Sequence, residues 1–179
     1  MQTNIISDVN RIYDADKLDG VDLLDLTGYD TNKKTILILD DYNSILTMFK
    51  KLIKHMDIES DYNIIYGNGQ DATLKAIKTV SEVDYFTIDY LLTDITFGTG
   101  FRVGVNNFTI NGVRLVGILL RFLPDMKYIF MTGHMVSKVI TPELYIEYSK
   151  YSDDELLDHL KFKDKPIPMC SDFILDLIE

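Results

Sequence analysis

Apolar positions along this chain alternate between two rhythms. Short continuous runs, rich in β-branched and aromatic residues, occur at Thr35-Ile36-Leu37-Ile38-Leu39, Tyr62 to Tyr66, Tyr85 to Asp89 and Tyr128 to Met131. Runs of this kind predict strands buried on both faces. Between them apolar residues recur at helical spacing: Ile45, Leu46, Phe49, Leu52 and Ile53; then Leu74 and Ile77; then Val113, Val116, Leu119 and Leu120. That spacing places one apolar stripe on each helix.

The punctuation fits these elements. Asn43 or Ser44 can cap the first helix. Gly67-Asn68-Gly69 reads as a turn into a helix from Asp71 to Val80, and Pro124 stops the helix that follows Gly112. Thr141-Pro142 opens another helix with proline at its first position, and Ser152-x-x-Glu155 is a capping box for one more. A weak fifth strand precedes Lys165, and a short last helix runs from about Ser171 to the end. Strands alternating with helices predict an α/β protein with a doubly wound parallel sheet.

Two stretches break the rhythm. Residues 1–33 are polar and acidic, with a weak cluster at Leu18, Val21, Leu23, Leu24 and Leu26. They predict an extension outside the core, a loosely packed arm or disorder. The domain itself is expected over 34–179. Within it, Gly98, Gly100, Gly104 and Asn106-Asn107 interrupt short β-prone runs, so residues 93–110 predict an inserted hairpin.

Composition narrows the class. A chain of 179 residues suits one domain with a real core, and 46% apolar with 26% charged residues is ordinary for a soluble protein. A net charge of −10 argues against a nucleic-acid surface, which needs clustered Lys and Arg. Cys170 is the only cysteine, which rules out an intrachain disulfide and suits a reducing compartment. No signal-peptide pattern opens the chain, and no apolar run approaches the roughly 20 residues that span a bilayer. A cytoplasmic setting without a membrane partner is expected.

The chemistry lies at the strand ends. Asp40-Asp41, Asp89 and Thr132 each close a predicted strand, and ligands of such sheets collect outside the carboxyl ends. Three close carboxylates repel one another, and a hard cation such as Mg²⁺ relieves that cost. Lys165-Pro166 adds a basic group. Acid pair, lone acid, hydroxyl and lysine, in that order, are what reversible aspartyl phosphorylation needs. His55, His134 and His159 lack paired metal spacing and read as structural or exposed. Lys50, Lys51 and Lys54 read as the polar face of a helix.

These pieces resemble the receiver domain of two-component response regulators, the CheY-like superfamily. Leu37-Ile38-Leu39-Asp40-Asp41 is similar to its first strand and acid pair. Asn68 to Ala72 resembles its turn into the second helix, and Asp84 followed by Thr87-Ile88-Asp89-Tyr90-Leu91-Leu92 its third strand and acceptor. Asn111-Gly112-Val113 looks like the start of the third helix, Phe130 to His134 the switch strand, and Lys165-Pro166 the lysine pair. The resemblance implies a five-stranded, flavodoxin-like receiver fold. It implies that Asp89 accepts a phosphoryl group from a histidine kinase or phosphotransfer protein. It further implies that Asp40, Asp41, Asp89 and the backbone carbonyl of Leu91 ligate Mg²⁺. Thr132 and Lys165 would then bind the phosphoryl oxygens, with Lys163 as the substitute lysine and Phe162 as the switch aromatic.

Asp94 ends an overlapping run, Asp89 to Thr93, and is the alternative acceptor. Asp89 is preferred because Asp84 lies five residues before it, as at the family's strand start, and because Asp89-Tyr90-x-Leu resembles a common acceptor tetrad. The chain ends about where a receiver ends, so a stand-alone phosphorelay protein is expected, switching a surface on the fourth and fifth strands and the helix between them. A downstream protein target, and a homodimer, are compatible with that role. Metabolic catalysis is not expected; the chemistry extends at most to self-phosphorylation and autodephosphorylation. The competing function is a receiver-like interaction module independent of phosphorylation. A small phosphatase with an aspartyl nucleophile fits less well, since Asp40-Asp41-Tyr42-Asn43 lacks a second acid two residues after the first.

Overall fold

The computed structural model describes residues 18–94, 112–132, 162–164, 174–175 and 178–179. Five strands and three helices appear in it: β1 (Lys34–Asp40), α1 (Asn43–Met56), β2 (Tyr62–Asn68), α2 (Gly69–Glu82), β3 (Tyr90–Asp94), α3 (Gly112–Leu119), β4 (Lys127–Thr132) and β5 (Phe162–Asp164). All pairings are parallel, in the order β2-β1-β3-β4-β5. Four strands carry the sheet, and the three-residue β5 lines up on the outer side of β4. From β1 the chain moves outward to β2 and then returns to β3 on the other side. The crevice between β1 and β3 is therefore the topological switch point, where open α/β sheets place ligands.

Period-two alternation explains why the sheet is covered twice. Leu37, Leu39, Leu91 and Phe130 face one cluster, which α2 supplies with Leu74, Ala76 and Ile77 and α3 with Leu115, Val116 and Leu119. Ile36, Ile38, Leu92, Ile129 and Met131 face the other, where α1 contributes Leu46, Phe49 and Ile53 and the C-terminal part Ile174. Most of these side chains are fully buried, each worth about 1.5–3 kcal/mol in water-excluded area. Helix α2 and strand β2 lie close at Gly67, where a β-carbon would overlap Ala72 Cβ.

Local signals hold with small shifts. Tyr42, not Asn43 or Ser44, is the N-cap of α1, and no side-chain cap bond forms. The helix ends at Asp57 in a left-handed conformation (φ 56°), its N–H donating to the Lys54 carbonyl. Gly67 and Asn68 extend β2 instead of turning, and Gly69 starts α2 at φ 58°. Of the N-terminal stretch, residues 18–33 are packed on the domain, not outside it. Leu18 and Leu24 belong to the α2-side cluster. Lys78 Nζ donates to the carbonyls of Leu18 (3.2 Å) and Val21 (2.7 Å), and Thr79 Oγ1 accepts the Leu24 N–H at 2.8 Å. The Asn63 side chain accepts the Asp30 N–H (2.9 Å) and donates to the Asp30 carbonyl (2.8 Å). Tyr29 Oη accepts from Thr35 Oγ1 and from the Thr87 N–H.

The third strand differs by five residues from the expected Tyr85 to Asp89. Phe86 and Ile88 are buried all the same, but they enter the core from irregular backbone after a turn in which Phe86 N–H donates to Val83 carbonyl. The ladder is made by the next run, with Ile36 opposite Tyr90 and Leu39 opposite Thr93. Residues 1–17, the inserted segment beyond Asp94, the elements expected at Thr141-Pro142 and Ser152-x-x-Glu155, and Lys165 lie outside the described residues. Among the described residues no helix is long and apolar enough to cross a membrane.

Candidate functional site

The exit ends of β1 and β3 bring three carboxylates together. One oxygen from each of Asp40, Asp41 and Asp94 lies within 4.8 Å of the others. Asp40 is fully buried and Asp94 is 4% exposed, whereas Asp41 is half-buried. Asp40 is the last residue of β1, opposite Asn68 of β2, and its Oδ1 accepts the Tyr42 N–H at 2.8 Å. That bond turns the chain after Asp41 and sends it into α1. Asn68 donates to the Asp41 carbonyl (3.3 Å) and to Asn43 Oδ1 (2.7 Å), tying the β2 exit to the same rim. Asp94 closes β3 opposite Met131, and the Thr93 hydroxyl donates to its backbone carbonyl at 3.0 Å.

The sequence-derived site is changed in two members. Asp89 does not join the pair. It precedes β3 at the entry rim, where its Oδ2 accepts the Thr35 N–H at 2.8 Å and its backbone exchanges bonds with Thr35 and Lys127. Five residues of strand at about 3.3 Å each separate it from Asp94, about 16 Å. Leu91 is the other correction. It sits inside the ladder opposite Leu37 and Tyr128, fully buried, so its carbonyl is about 10 Å short of the rim.

Thr132 ends β4 one residue past the partner of Asp94, opposite Asp164, so its backbone reaches the same rim. Lys163 lies opposite Met131 and Phe162 opposite Phe130. Lys165 lies outside the described residues. The sequence marks Gly112 only as a helix start, yet a β-carbon on it would overlap the Asp94 carbonyl oxygen.

The donor set is all oxygen, anionic and mostly withdrawn from solvent. Three such charges repel at this separation. Hard divalent cations take ligands of this type, and Mg²⁺ binds with few carboxylates while keeping several waters. Asp40, Asp41 and Asp94 therefore fit such an ion by their chemistry.

No family model matches the chain, and no curated protein matches it. Among solved structures, the chain is similar to one titled "Structure of two RcsB dimers bound to two parallel DNAs", at 15% identity and a TM-score of 0.40, covering 71% of this chain and 69% of that one.

Proposed function

We propose that this chain is a receiver-type signalling domain of flavodoxin-like fold that accepts a phosphoryl group on Asp94. The observation that carries the reading is the meeting of Asp40, Asp41 and Asp94 at the switch point of the sheet. An Asp94 carboxylate oxygen attacks the phosphorus of a phosphohistidine on a kinase or phosphotransfer protein. The P–O bond forms as the P–N bond breaks, and the electron pair returns to the imidazole nitrogen. Mg²⁺ held by Asp40, Asp41 and Asp94 would supply neutralising charge to the transferred oxygens. Thr132 at the β4 exit and a lysine of the β5 region, Lys165 or Lys163, complete the set of groups that bind those oxygens. Phe162 is then the aromatic whose position follows the state of Thr132, and a surface on β4 and β5 passes the change to a protein partner.

Intact mass after incubation with acetyl phosphate and Mg²⁺ tests this. Wild type and Asp89→Asn should each gain one phosphoryl mass, and Asp94→Asn should gain none. An adduct that persists in Asp94→Asn would sink the assignment.

A further inference from the structure

We propose that Gly112 is a positioning residue for Asp94, acting together with the Thr93 hydroxyl on the Asp94 backbone carbonyl; its consequence for function rests on the reading above. A β-carbon at Gly112 would overlap that carbonyl oxygen and stand 3.0 Å from both the carbonyl carbon and Thr93 Oγ1. The bare Cα at the first turn of α3 therefore lies against the peptide that carries the carboxylate. Thr93, itself fully buried, donates to the same oxygen. Gly112 does not have the positive φ that Gly69 has. Close approach, not backbone conformation, is what demands glycine here.

The surroundings decide which part would yield to a larger residue. Leu115, Val116 and Leu119 of α3 are fully buried, so the helix cannot back away without opening the core. β3 is held by β1 up to Thr93 and by β4 up to Asp94, so the strand cannot slide. What remains is rotation of the peptide at Asp94, the last residue of β3. Its carboxylate turns with it, out of the 4.8 Å grouping with Asp40 and Asp41. Gly117 in the same helix offers a control, because a β-carbon there meets nothing within 4 Å.

The test compares wild type with Gly112→Ala, Thr93→Val and Gly117→Ala, with aspartate carboxyl carbons labelled for NMR at pH 7 in metal-free buffer, followed by Mg²⁺ titration. Amide fingerprints and thermal midpoints establish that each variant is folded. The carboxyl resonances of Asp40, Asp41 and Asp94 should move in Gly112→Ala and in Thr93→Val and hold still in Gly117→Ala. Mg²⁺ affinity should drop about tenfold or more in the first two, the range seen when groups that orient metal ligands are lost. If Gly112→Ala does not fold, Thr93→Val carries the decision. Unmoved carboxyl resonances in the folded variants overturn the proposal. Resonances that move in a protein that takes up no Mg²⁺ would support the positioning role and sink the functional reading instead.

Discussion

Asp89 and Asp94 sit at opposite rims of the sheet, one just before β3 and one closing it, and their carboxylates do different work. Asp89 Oδ2 accepts the Thr35 N–H, fixing the start of β1, while Asp94 meets Asp40 and Asp41 at the exit. Loss of the Asp89 carboxylate leaves a donor unmatched on Thr35, which is fully buried. Asp89→Ala should therefore cost about 1–3 kcal/mol in urea denaturation while retaining the acetyl phosphate adduct. Loss of the adduct together with normal stability would reverse the two roles.

Neutralising Asp40 separates repulsion from metal binding. Asp40→Asn keeps an oxygen for the Tyr42 N–H but removes one of three gathered charges. Its thermal midpoint in EDTA should equal or exceed that of wild type. Wild type should gain about 2.7 kcal/mol at a Mg²⁺ concentration of 100 times Kd, and the variant should gain far less. Equal metal stabilisation in both proteins would show that the cation, if bound, sits elsewhere.

Tyr66 is a third case. Its hydroxyl is buried without a hydrogen-bond partner among the described residues, and Lys50 Nζ lies 5.1 Å from the ring centroid. Burial, with a smaller contribution from Glu59, pushes its ionisation upward. A buried donor that makes no bond costs more than one that is absent. Tyr66→Phe should be stabilising, by up to about 1 kcal/mol, as read from the denaturant midpoint. A marked loss of stability would mean that the hydroxyl is satisfied.

The turn at Asp30 makes stability depend on acid. Its carboxyl is held below its ordinary value of 3.8, first by the Asn32 N–H and then by the Asn32 side chain. A lowered folded pKa means the unfolded chain binds its proton first as pH falls. The contribution is complete above pH 3.8 and fades as the pH drops through the folded value. Wild type should exceed Asp30→Ala by a constant margin above pH 3.8, and the two should converge in stronger acid. A margin that widens in acid would contradict the bond.

Lys78 anchors residues 18–33 through the Leu18 and Val21 carbonyls. Lys78→Met keeps the apolar stem and loses both donors, which should cost about 1–2 kcal/mol. Exchange of the Leu24 amide, bound to Thr79 Oγ1, should accelerate, while amides of β1 keep their protection. Unchanged Leu24 exchange would show that the anchor is dispensable.

Periodicity was enough for β1, α1, β2, α2 and β4, because each has one apolar rhythm bounded by clear punctuation. The stretch from Tyr85 to Asp94 holds two consecutive apolar runs, each ended by an acid. A spacing of five residues from acid to acid fits Asp84 with Asp89 as well as Asp89 with Asp94, so spacing could not choose between them. Register against β1 chooses, since Ile36 pairs with Tyr90. That is a tertiary fact which propensity does not carry. The exposure of Asp84 against the burial of Asp94 follows from the same register. Gly112 could be read only as a helix start because the peptide it touches lies 18 residues earlier in the chain.

The contacts of residues 18–33 were illegible for a related reason: Leu24 meets Thr79 and Leu18 meets Lys78 across 55 and 60 residues. A boundary drawn where the first strand begins, at Lys34, cuts through hydrogen bonds and strips Thr79, Asn63 and Thr35 of the partners that Leu24, Asp30 and Tyr29 supply. Truncated or fused versions of this protein that open at Lys34 would be different objects, with a weakened second helix. Any dissection meant to preserve native behaviour has to begin upstream of Leu18.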